Sequence, residues 1–379
     1  MCFAHSFLIN ESVLLALLFL RLSSFYSLSM ENELWEKVTC MIRIKKKLLW
    51  GTVLLIIASL GVTIYVKNMI FTTDYKISNY QYLFLYSNPF KDKSHIVMTN
   101  DGKSYDKVTL KISDTPIMGR NSDNNLMLPA EHVSKYYIVN NNFDVTEQKL
   151  NAPYTFFIKE KDIEVESFNT NISDNDFKVT DRIYKKEYSI KLPAFINNAI
   201  YDSQNIFVLI YNVETGLNEV HVINRQKGYI DQVYQVNDGA SEMLRVKDFL
   251  LLNTKGSLTI LNINSGNILY YKYPSEVAEA DKMFFYQKGT IFLTYADYHG
   301  NLGLLVLDDH FSEQNNLRFD IPLMKSKLIK DKIFVLSQIK NDPEIGGKFC
   351  IIDANTLRIE QLFNLPKEDI KVQDFMITK

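Results

Sequence analysis

The sequence predicts an all-β fold, a seven-bladed β-propeller, preceded by a single transmembrane helix. A pattern of two short strands around a polar turn recurs every 40 to 45 residues, which is the period of a four-stranded propeller blade. Aromatic residues make up 13% of the 379 residues, and such residues favour β-structure. One uncharged run of 19 residues lies near the amino terminus. Together these observations predict a repetitive β-domain attached to a membrane.

The clearest copy of the pattern is LTILNINSGNILYYKYP, at residues 258–274. Three or four apolar residues lead to an Asn or Asp, a short polar turn follows, and a second alternating strand often ends at Pro. Asn and Asp suit this position because their side chains hydrogen-bond the nearby backbone and tolerate turn geometry. Seven copies, aligned on the polar residue that closes the first strand, are anchored at Asn100, Asn140, Asp181, Asn224, Asn264, Asp308 and Asp353.

Further strands complete each repeat. A run such as YLFLY (82–86) or TFFI (155–158) precedes the hairpin, and a shorter run often precedes that, so each repeat holds four strands. The closing segment DIKVQDFMITK is expected to complete the sheet begun by the first hairpins, which leaves only short strand edges exposed. Two alternatives stay open. A ring of six or eight blades would follow if an anchor is miscounted, and Asp181 is the weakest anchor; a two-domain β-sandwich would not explain one period over the whole length.

The uncharged run at residues 48–66 is long enough, at about 1.5 Å per residue, to cross the hydrocarbon of a bilayer. Basic residues crowd its amino-terminal side, whereas only Lys67 follows closely, and this bias places the amino end in the cytoplasm. The predicted order is a basic cytoplasmic segment at 41–47, a transmembrane signal-anchor helix at 48–66, a linker at 67–76 and an extracytoplasmic propeller at 77–379. We therefore expect a single-pass protein of the cell membrane. A cleaved signal peptide is the alternative for the run.

Residues 1–40 fit this plan poorly. Their apolar stretch at 12–20 is too short to span a bilayer and has no basic segment before it. Met41 is followed by a basic run and resembles a natural start for a signal anchor. We expect residues 1–40 to be a gene-model extension or a disordered segment, with translation starting at Met41 instead of Met1.

Composition excludes several classes of function. The formal net charge is −2, without the basic excess that a nucleic-acid-binding protein needs. The cysteines at positions 2, 40 and 350 are too few and too far apart for a disulfide framework or a C-x-x-C motif. Cys350 lies in the apolar run FCII and is expected to belong to the core. No zinc-binding histidine pair, nucleophile elbow, phosphate loop or EF-hand loop occurs.

The hairpins, and above all LNINSGNILYY with Asn264, Ser265 and Gly266 at its turn, resemble the broad superfamily of quinoprotein-like and YVTN-type β-propellers. The two tryptophans, Trp35 and Trp50, precede the repeats, so the blade tryptophans typical of pyrroloquinoline-quinone enzymes and WD-repeat proteins are missing. No redox cofactor is predicted. The resemblance implies a ring whose ligands bind at one face, formed by the loops between second and third strands and between blades.

Three polar loops are the candidates for that face. They are expected at 159–176, at 295–301 and at 338–347, each between a second and a third strand. Their carboxylates and imidazole could form a cation or ligand site at the mouth of the central channel, with Ca²⁺ as the cation that such oxygens suit; solvated loop tips are the alternative. The candidate residues are Asp297, His299, Asp342, Glu344, Glu164 and Glu166.

Two functions follow from these features. The first is a membrane-anchored extracytoplasmic propeller that acts as a non-catalytic binding or scaffold module for a protein or a cell-envelope component. The alternative is a divalent-cation-dependent hydrolase or lactonase-like enzyme with its site at the channel mouth. Three or more carboxylate, Asn or His side chains converging on one point would favour the enzyme, whereas an apolar channel would exclude it.

Overall fold

The computed structural model describes residues 75–378 apart from positions 122, 151, 153 and 169–174, together with the isolated positions 52 and 59. The chain divides into two units, Met1–Asp74 and Tyr75–Lys379. The second unit is a seven-bladed β-propeller, and each blade is a four-stranded antiparallel sheet. The predicted all-β fold and the number of blades are confirmed.

The blades follow one another along the chain, and short 3₁₀ turns lie at Ile77–Asn79 and Gln287–Gly289. Blade 1 consists of β1 (Tyr82–Tyr86), β2 (Ser94–Thr99), β3 (Asp106–Leu110) and the last strand, β28 (Val372–Ile377). Blade 2 consists of β4 (Gly119–Arg120), β5 (Leu126–Pro129), β6 (Lys135–Val139) and β7 (Val145–Lys149). Blade 3 consists of β8 (Tyr154–Lys159), β9 (Ile163–Phe168), β10 (Asn175–Asp181) and β11 (Lys186–Leu192).

The remaining four blades are regular. Blade 4 consists of β12 (Ala194–Tyr201), β13 (Asn205–Asn212), β14 (Leu217–Asn224) and β15 (Tyr229–Val236). Blade 5 consists of β16 (Glu242–Val246), β17 (Phe249–Thr254), β18 (Ser257–Asn262) and β19 (Ile268–Lys272). Blade 6 consists of β20 (Glu279–Tyr286), β21 (Thr290–Ala296), β22 (Asn301–Leu307) and β23 (Glu313–Pro322). Blade 7 consists of β24 (Lys325–Ile329), β25 (Lys332–Gln338), β26 (Ile345–Asp353) and β27 (Ile359–Pro366).

The two ends of the propeller meet in blade 1. There β28 takes the first position and pairs antiparallel with β1, so that Phe375 lies opposite Phe84 and Ile377 opposite Tyr82. The prediction that the closing segment completes the first sheet is confirmed. Closure gives β1 a hydrogen-bonded partner on both sides, so this inner strand has no edge open to another chain.

Antiparallel order gives the ring two distinct ends. We call the end that holds the second-to-third turns and the connections between blades the upper face. The other end, with the first-to-second and third-to-fourth turns, is the lower face. The polypeptide enters the propeller at the lower face, where the Ile77 N–H donates to the carbonyl of Asn141 in the third-to-fourth turn of blade 2 at 2.9 Å.

The middle strands carry the core. Each blade is covered by a neighbour on both sides, so a second or third strand such as β1 or β2 is buried at every position. A fourth strand such as β7 is exposed at every position. This explains why the middle strands read as continuous apolar runs and not as alternating ones. Cys350 lies fully buried in β26, and burial raises the pKa of its thiol to about 12, which confirms its place in the core.

Most of the polar anchors build the third-to-fourth turns, but in blade 1 the turn is held by Asp101 and not by the predicted anchor Asn100. The Asp181 Oδ1 atom accepts the N–H groups of Ile183 and Tyr184 at 3.1 and 3.0 Å. The weakest anchor is therefore genuine, and rings of six or eight blades are excluded. In blade 5 the capping side chain is Asn262, whose Oδ1 accepts the N–H of Asn264 at 3.0 Å, so the anchor predicted at Asn264 is wrong by two residues.

One strand assignment in blade 3 is also wrong. The run TFFI at 155–158 was predicted to be a second strand, but it lies in β8, the first strand of its sheet. The second strand, β9, lies within the stretch predicted as a long acidic loop. Its alternation of buried Ile163 and Val165 with glutamates is the pattern of a half-buried strand, and the density of acids concealed that pattern.

Among the described residues, no helix has the length and apolar character needed to cross a membrane. The predicted transmembrane run at 48–66 lies outside the described residues except for Thr52 and Ser59. The predicted segments at 1–40 and 41–47, and the linker as far as residue 74, also lie outside them.

Gly303 in β22 permits a close cross-strand contact. Tyr295 lies directly opposite, and a Cβ atom on Gly303 would come within 1.9 Å of the tyrosine Cζ. Gly303→Ala is therefore expected to lower the free energy of unfolding by about 1–3 kcal/mol, because the buried ring has to move. Gly119→Ala is the matched control, since nothing lies closer than 3.8 Å to its Cβ. Thermal unfolding of the two variants checks this, and equal midpoints would contradict it.

Candidate functional site

The turn residues predicted in blades 6 and 7 lie on the upper face, and two of them shape their own turns. Asp297 follows β21, and its Oδ1 atom accepts the N–H groups of His299 and Asn301 at 2.8 and 2.9 Å. Asp342 follows β25, and its Oδ1 accepts the N–H of Glu344 at 2.8 Å. Backbone donors lower the pKa of both carboxyls. One oxygen of each aspartate is thus committed to turn formation.

Glu164 and Glu166 lie elsewhere. Both belong to β9, so the predicted single loop at 159–176 is wrong for these residues. Glu164 lies near the lower end of the strand, where it contacts Arg182, and Lys159 contacts both glutamates. The six predicted residues therefore do not form one site. Four lie in upper-face turns, and two lie in an ion-pair network along a strand of blade 3.

The structure brings together two groups of ligating side chains that sequence reasoning missed. In one, the His95 Nε2 atom lies 3.1 Å from an Asp369 oxygen, with Glu368 beside it. Lys93 binds Asp369 at 2.8 Å and Lys107 binds Glu368 at 3.0 Å. Hydrogen bonds from the Lys93 and His95 side chains lower the pKa of Asp369 to about 2. Since ammonium groups already bind both carboxylates, this group holds blades 7 and 1 together.

The second group lies on the upper face between blades 1 and 2. It contains Asp114, in the connection from β3 to β4, and Glu131 and His132, in the turn from β5 to β6. The Asp114 carboxylate binds the His132 Nδ1 atom at 2.7 Å and accepts the His132 backbone N–H at 2.7 Å. This hydrogen bond raises the pKa of His132. The imidazole is thereby held in one orientation, with its other nitrogen on the outer side.

A belt of polar contacts joins the first strands at the upper mouth of the channel. In blades 4 to 6, the Asn198 Nδ2 atom donates to Glu242 at 3.1 Å, and the Lys282 ammonium also contacts Glu242. We call the contacts from Asn198 round to Asp374 the polar belt. Each links one blade to the next and fixes the spacing of the inner strands.

The belt continues through blades 6, 7 and 1. The Ser326 hydroxyl donates to Asp281 at 2.8 Å, and the Lys327 Nζ atom donates to Asp374 at 2.8 Å. Asp374 is almost fully buried, and its second oxygen accepts the Met118 N–H at 2.8 Å. A buried carboxylate needs such partners, because an uncompensated charge in the interior is costly. The polar belt thus places charged groups at the channel mouth and links the blades from blade 4 round to blade 1.

Several charged side chains lie close together at the channel mouth and shift one another's pKa values. Burial and the neighbouring ammonium groups of Lys325 and Lys327 lower the pKa of Lys282. Burial likewise lowers the pKa of Lys327, although Asp374 opposes the shift, and burial raises the pKa of the Asp281 carboxyl. Lysines and carboxylates alternate around the mouth. Their charges offset one another, so the mouth does not carry a concentrated charge of one sign.

The side chains that line the channel neither favour nor exclude the hypothesis of an enzyme. It is lined by charged groups, so the exclusion expected from an apolar channel does not apply. Across the described part of residues 75–378, however, the groups of three potential metal ligands lie at blades 7–1 and 1–2 and not at the channel mouth. The carboxylates at the mouth face ammonium groups, which compete with a divalent cation for the same oxygens.

Exposed apolar side chains distinguish the two faces. Outside the fourth strands, six of the exposed large apolar residues lie in or beside upper-face turns and connections, whereas two, Ile183 and Phe285, lie in or beside lower-face turns of the described chain. Tyr298 is 76% exposed and Phe90 is 93% exposed. Apolar residues clustered on one face of a soluble domain commonly mark an interaction surface. The six are Phe90, Ile117, Val133, Tyr211, Val213 and Tyr298.

Comparison with known proteins supports the fold. No family model matches the chain. The uncharacterized protein YeeG of Bacillus subtilis is 27% identical over 298 residues, which cover 78% of this chain and 85% of that protein. Among solved structures, a protein from Lactobacillus plantarum aligns with a TM-score of 0.55 at 9% identity, over 78% of this chain and 99% of that one.

Two further solved structures align with similar TM-scores. A candidate 6-phosphogluconolactonase from Bacteroides fragilis has a TM-score of 0.53 at 7% identity, over 81% of this chain and 99% of that chain. The dihydro-heme d1 dehydrogenase NirN has a TM-score of 0.51 at 7% identity, over 78% of this chain and 68% of its own. At such identities the likeness is one of fold alone, and it agrees with the β-propeller that the hairpins predict.

Proposed function

We propose that this chain is a membrane-anchored extracytoplasmic propeller that binds a protein or a cell-envelope component through its upper face, without catalysis. The observation that carries the proposal is the concentration of exposed apolar side chains on that face. An excess of exposed apolar side chains on one face favours that face as the surface that a partner covers. The predicted anchor at 48–66 supplies the location.

The path of the chain agrees with this role. The first described residues of the propeller lie at its lower face, where Ile77 binds the backbone of Asn141. The acidic turn residues also have a structural role, because Asp297 and Asp342 accept hydrogen bonds from the backbone of their own turns. A rigid ring with adaptable upper turns is the usual basis of a binding scaffold.

Site-specific photo-crosslinking in intact cells tests the proposal. A photo-reactive amino acid at position 298 on the upper face, or at position 183 on the lower face, is introduced into the full chain. Both native side chains are well exposed, at 76% and 61%, so the positions are matched in access to solvent. We expect discrete crosslinked products from position 298 and at most a tenth as much from position 183. Equal products from both faces, or products from position 183 alone, would contradict the proposal.

A further inference from the structure

A small pocket on the upper face, between blades 1 and 2, has a fixed polar floor. It has a volume of about 60 Å³, and Ser87, Asp114, Thr115, Glu131 and Gln373 contribute polar groups to it. Such a volume holds a few water molecules or the polar head of one side chain. Two carboxylates line the pocket: His132 binds that of Asp114, and the same imidazole lies 4.0 Å from that of Glu131.

The floor is held in place by its own hydrogen bonds. The Ser87 hydroxyl oxygen accepts the Thr115 N–H at 3.0 Å and the Ser94 hydroxyl at 2.9 Å. Asp114, with a side chain only 6% exposed, binds both the ring and the backbone of His132. These groups need no rearrangement to receive a ligand, so little ordering cost opposes binding.

Three exposed apolar side chains, which we call the apolar rim, lie close in sequence to residues of the pocket. Phe90, Ile117 and Val133 are exposed by 93%, 43% and 43%, and each is next in sequence to Pro89, Pro116 or His132 at the pocket. They account for half of the exposed apolar groups on the upper face. The side chain of Glu131 is 59% exposed beside them. The site therefore combines the exposed carboxylate of Glu131 with nearby apolar side chains.

We propose that this pocket receives the basic side chain, Lys or Arg, of a protein partner whose neighbouring apolar residues cover Phe90, Ile117 and Val133. The proposal rests on the proposed function and names the chemistry of the partner. Because His132 already binds both oxygens of Asp114, the exposed Glu131 carboxylate is the group that complements a cationic head. The methylene stem of Lys or Arg lies well along an apolar rim. A basic side chain in a central pocket, enclosed by apolar contacts, is a common centre of binding energy.

A metal ion is a poorer occupant of the same place. Both carboxylate oxygens of Asp114 are bound by His132 at 2.7 Å, and Glu131 lies 4.0 Å from the imidazole Nδ1 atom. Coordination at about 2 Å by all three groups would require the Asp114–His132 bond to break. A basic side chain instead uses the exposed carboxylate and leaves that bond intact.

The test is selection from a displayed library of short random peptides on the full-length protein in lipid nanodiscs. We expect the bound peptides to contain a Lys or Arg flanked by Leu, Ile or Phe. Glu131→Gln should weaken binding of the selected peptides about tenfold, the effect of losing about 1.4 kcal/mol. Ile117→Ser should weaken it by a similar factor. Glu187→Gln, a charge-matched change at an exposed position of the fourth strand of blade 3, should leave binding unchanged.

The outcomes separate the two proposals. Selected peptides that compete with crosslinking from upper-face positions, but lack a basic residue or ignore Glu131→Gln, would overturn the basic side chain and leave the upper-face binding role intact. Peptide binding that disappears with a chelator would also overturn it, in favour of a metal. Selected peptides that compete only with crosslinking at position 183 would overturn both proposals.

Discussion

Removal of residues 372–379 is expected to abolish cooperative folding of the propeller. The deletion takes away β28, leaves blade 1 with three strands and exposes the edge of β1. It also removes the fully buried Val372 and Phe375 from an aromatic cluster, where the Phe375 ring centroid lies 4.9 Å from that of Phe349. Loss of the sharp thermal transition, together with protease sensitivity throughout the propeller, is the expected result.

Complementation makes this prediction specific. A synthetic peptide of residues 370–379 should restore the transition to the truncated chain, whereas a scrambled peptide of equal composition should not. Phe375→Ala in the full chain is the milder variant and should cost about 3–5 kcal/mol, the usual effect of removing a buried phenylalanine side chain. A truncated chain that unfolds at the wild-type midpoint would show that the ring does not depend on this strand.

Arg225→Met is expected to lower the free energy of unfolding by about 3–5 kcal/mol, because it leaves a buried carboxylate without its partner. The Arg225 Nε atom donates to Asp181 at 2.7 Å, and both side chains are almost completely buried. The guanidinium carbon lies 5.7 and 5.1 Å from the ring centroids of Tyr184 and Tyr201. This contact joins blades 3 and 4 at the lower face. Chemical denaturation measures the loss.

A second substitution separates charge from packing. Asp181→Asn in the Arg225→Met background removes the stranded charge yet keeps an oxygen for the turn N–H groups, so it should recover a large part of the loss. Arg182→Met is the control, since its ion pair with Glu164 is exposed and should be worth less than about 1 kcal/mol. Equal effects of Arg225→Met and Arg182→Met would contradict a buried ion pair that stabilises the ring.

The architecture could be predicted because its signals are local. Each hairpin carries its own apolar strands and its own capping Asn or Asp, and seven copies at one spacing are enough to define a ring. Errors arose where two signals overlapped. In β9 the alternation of Ile163 and Val165 lay within an acidic stretch, and in blade 5 two asparagines stood two residues apart at one turn.

The polar belt could not be predicted in the same way, because each contact joins different blades. Ser326 binds Asp281 across 45 residues, and Lys327 binds Asp374 across 47. These separations are close to the length of one blade. A search for polar residues at that spacing could therefore have identified the contacts of the polar belt. Polar residues one period apart on consecutive first strands become neighbours in a ring. The orientation of each side chain, and hence which pairs form, still depends on the packing of the whole sheet.

The position of β28 in blade 1 also sets the order of biogenesis. Its residues are synthesised after every other described strand, so β1 waits for its inner partner until some 290 residues have followed it. During that interval an apolar edge is available for pairing with other chains. If the chain is exported as an unfolded polypeptide, the ring can close only once the last strand has crossed the membrane. Chaperones or slow translocation at that stage would then govern the yield of folded protein more than the stability of the finished ring does.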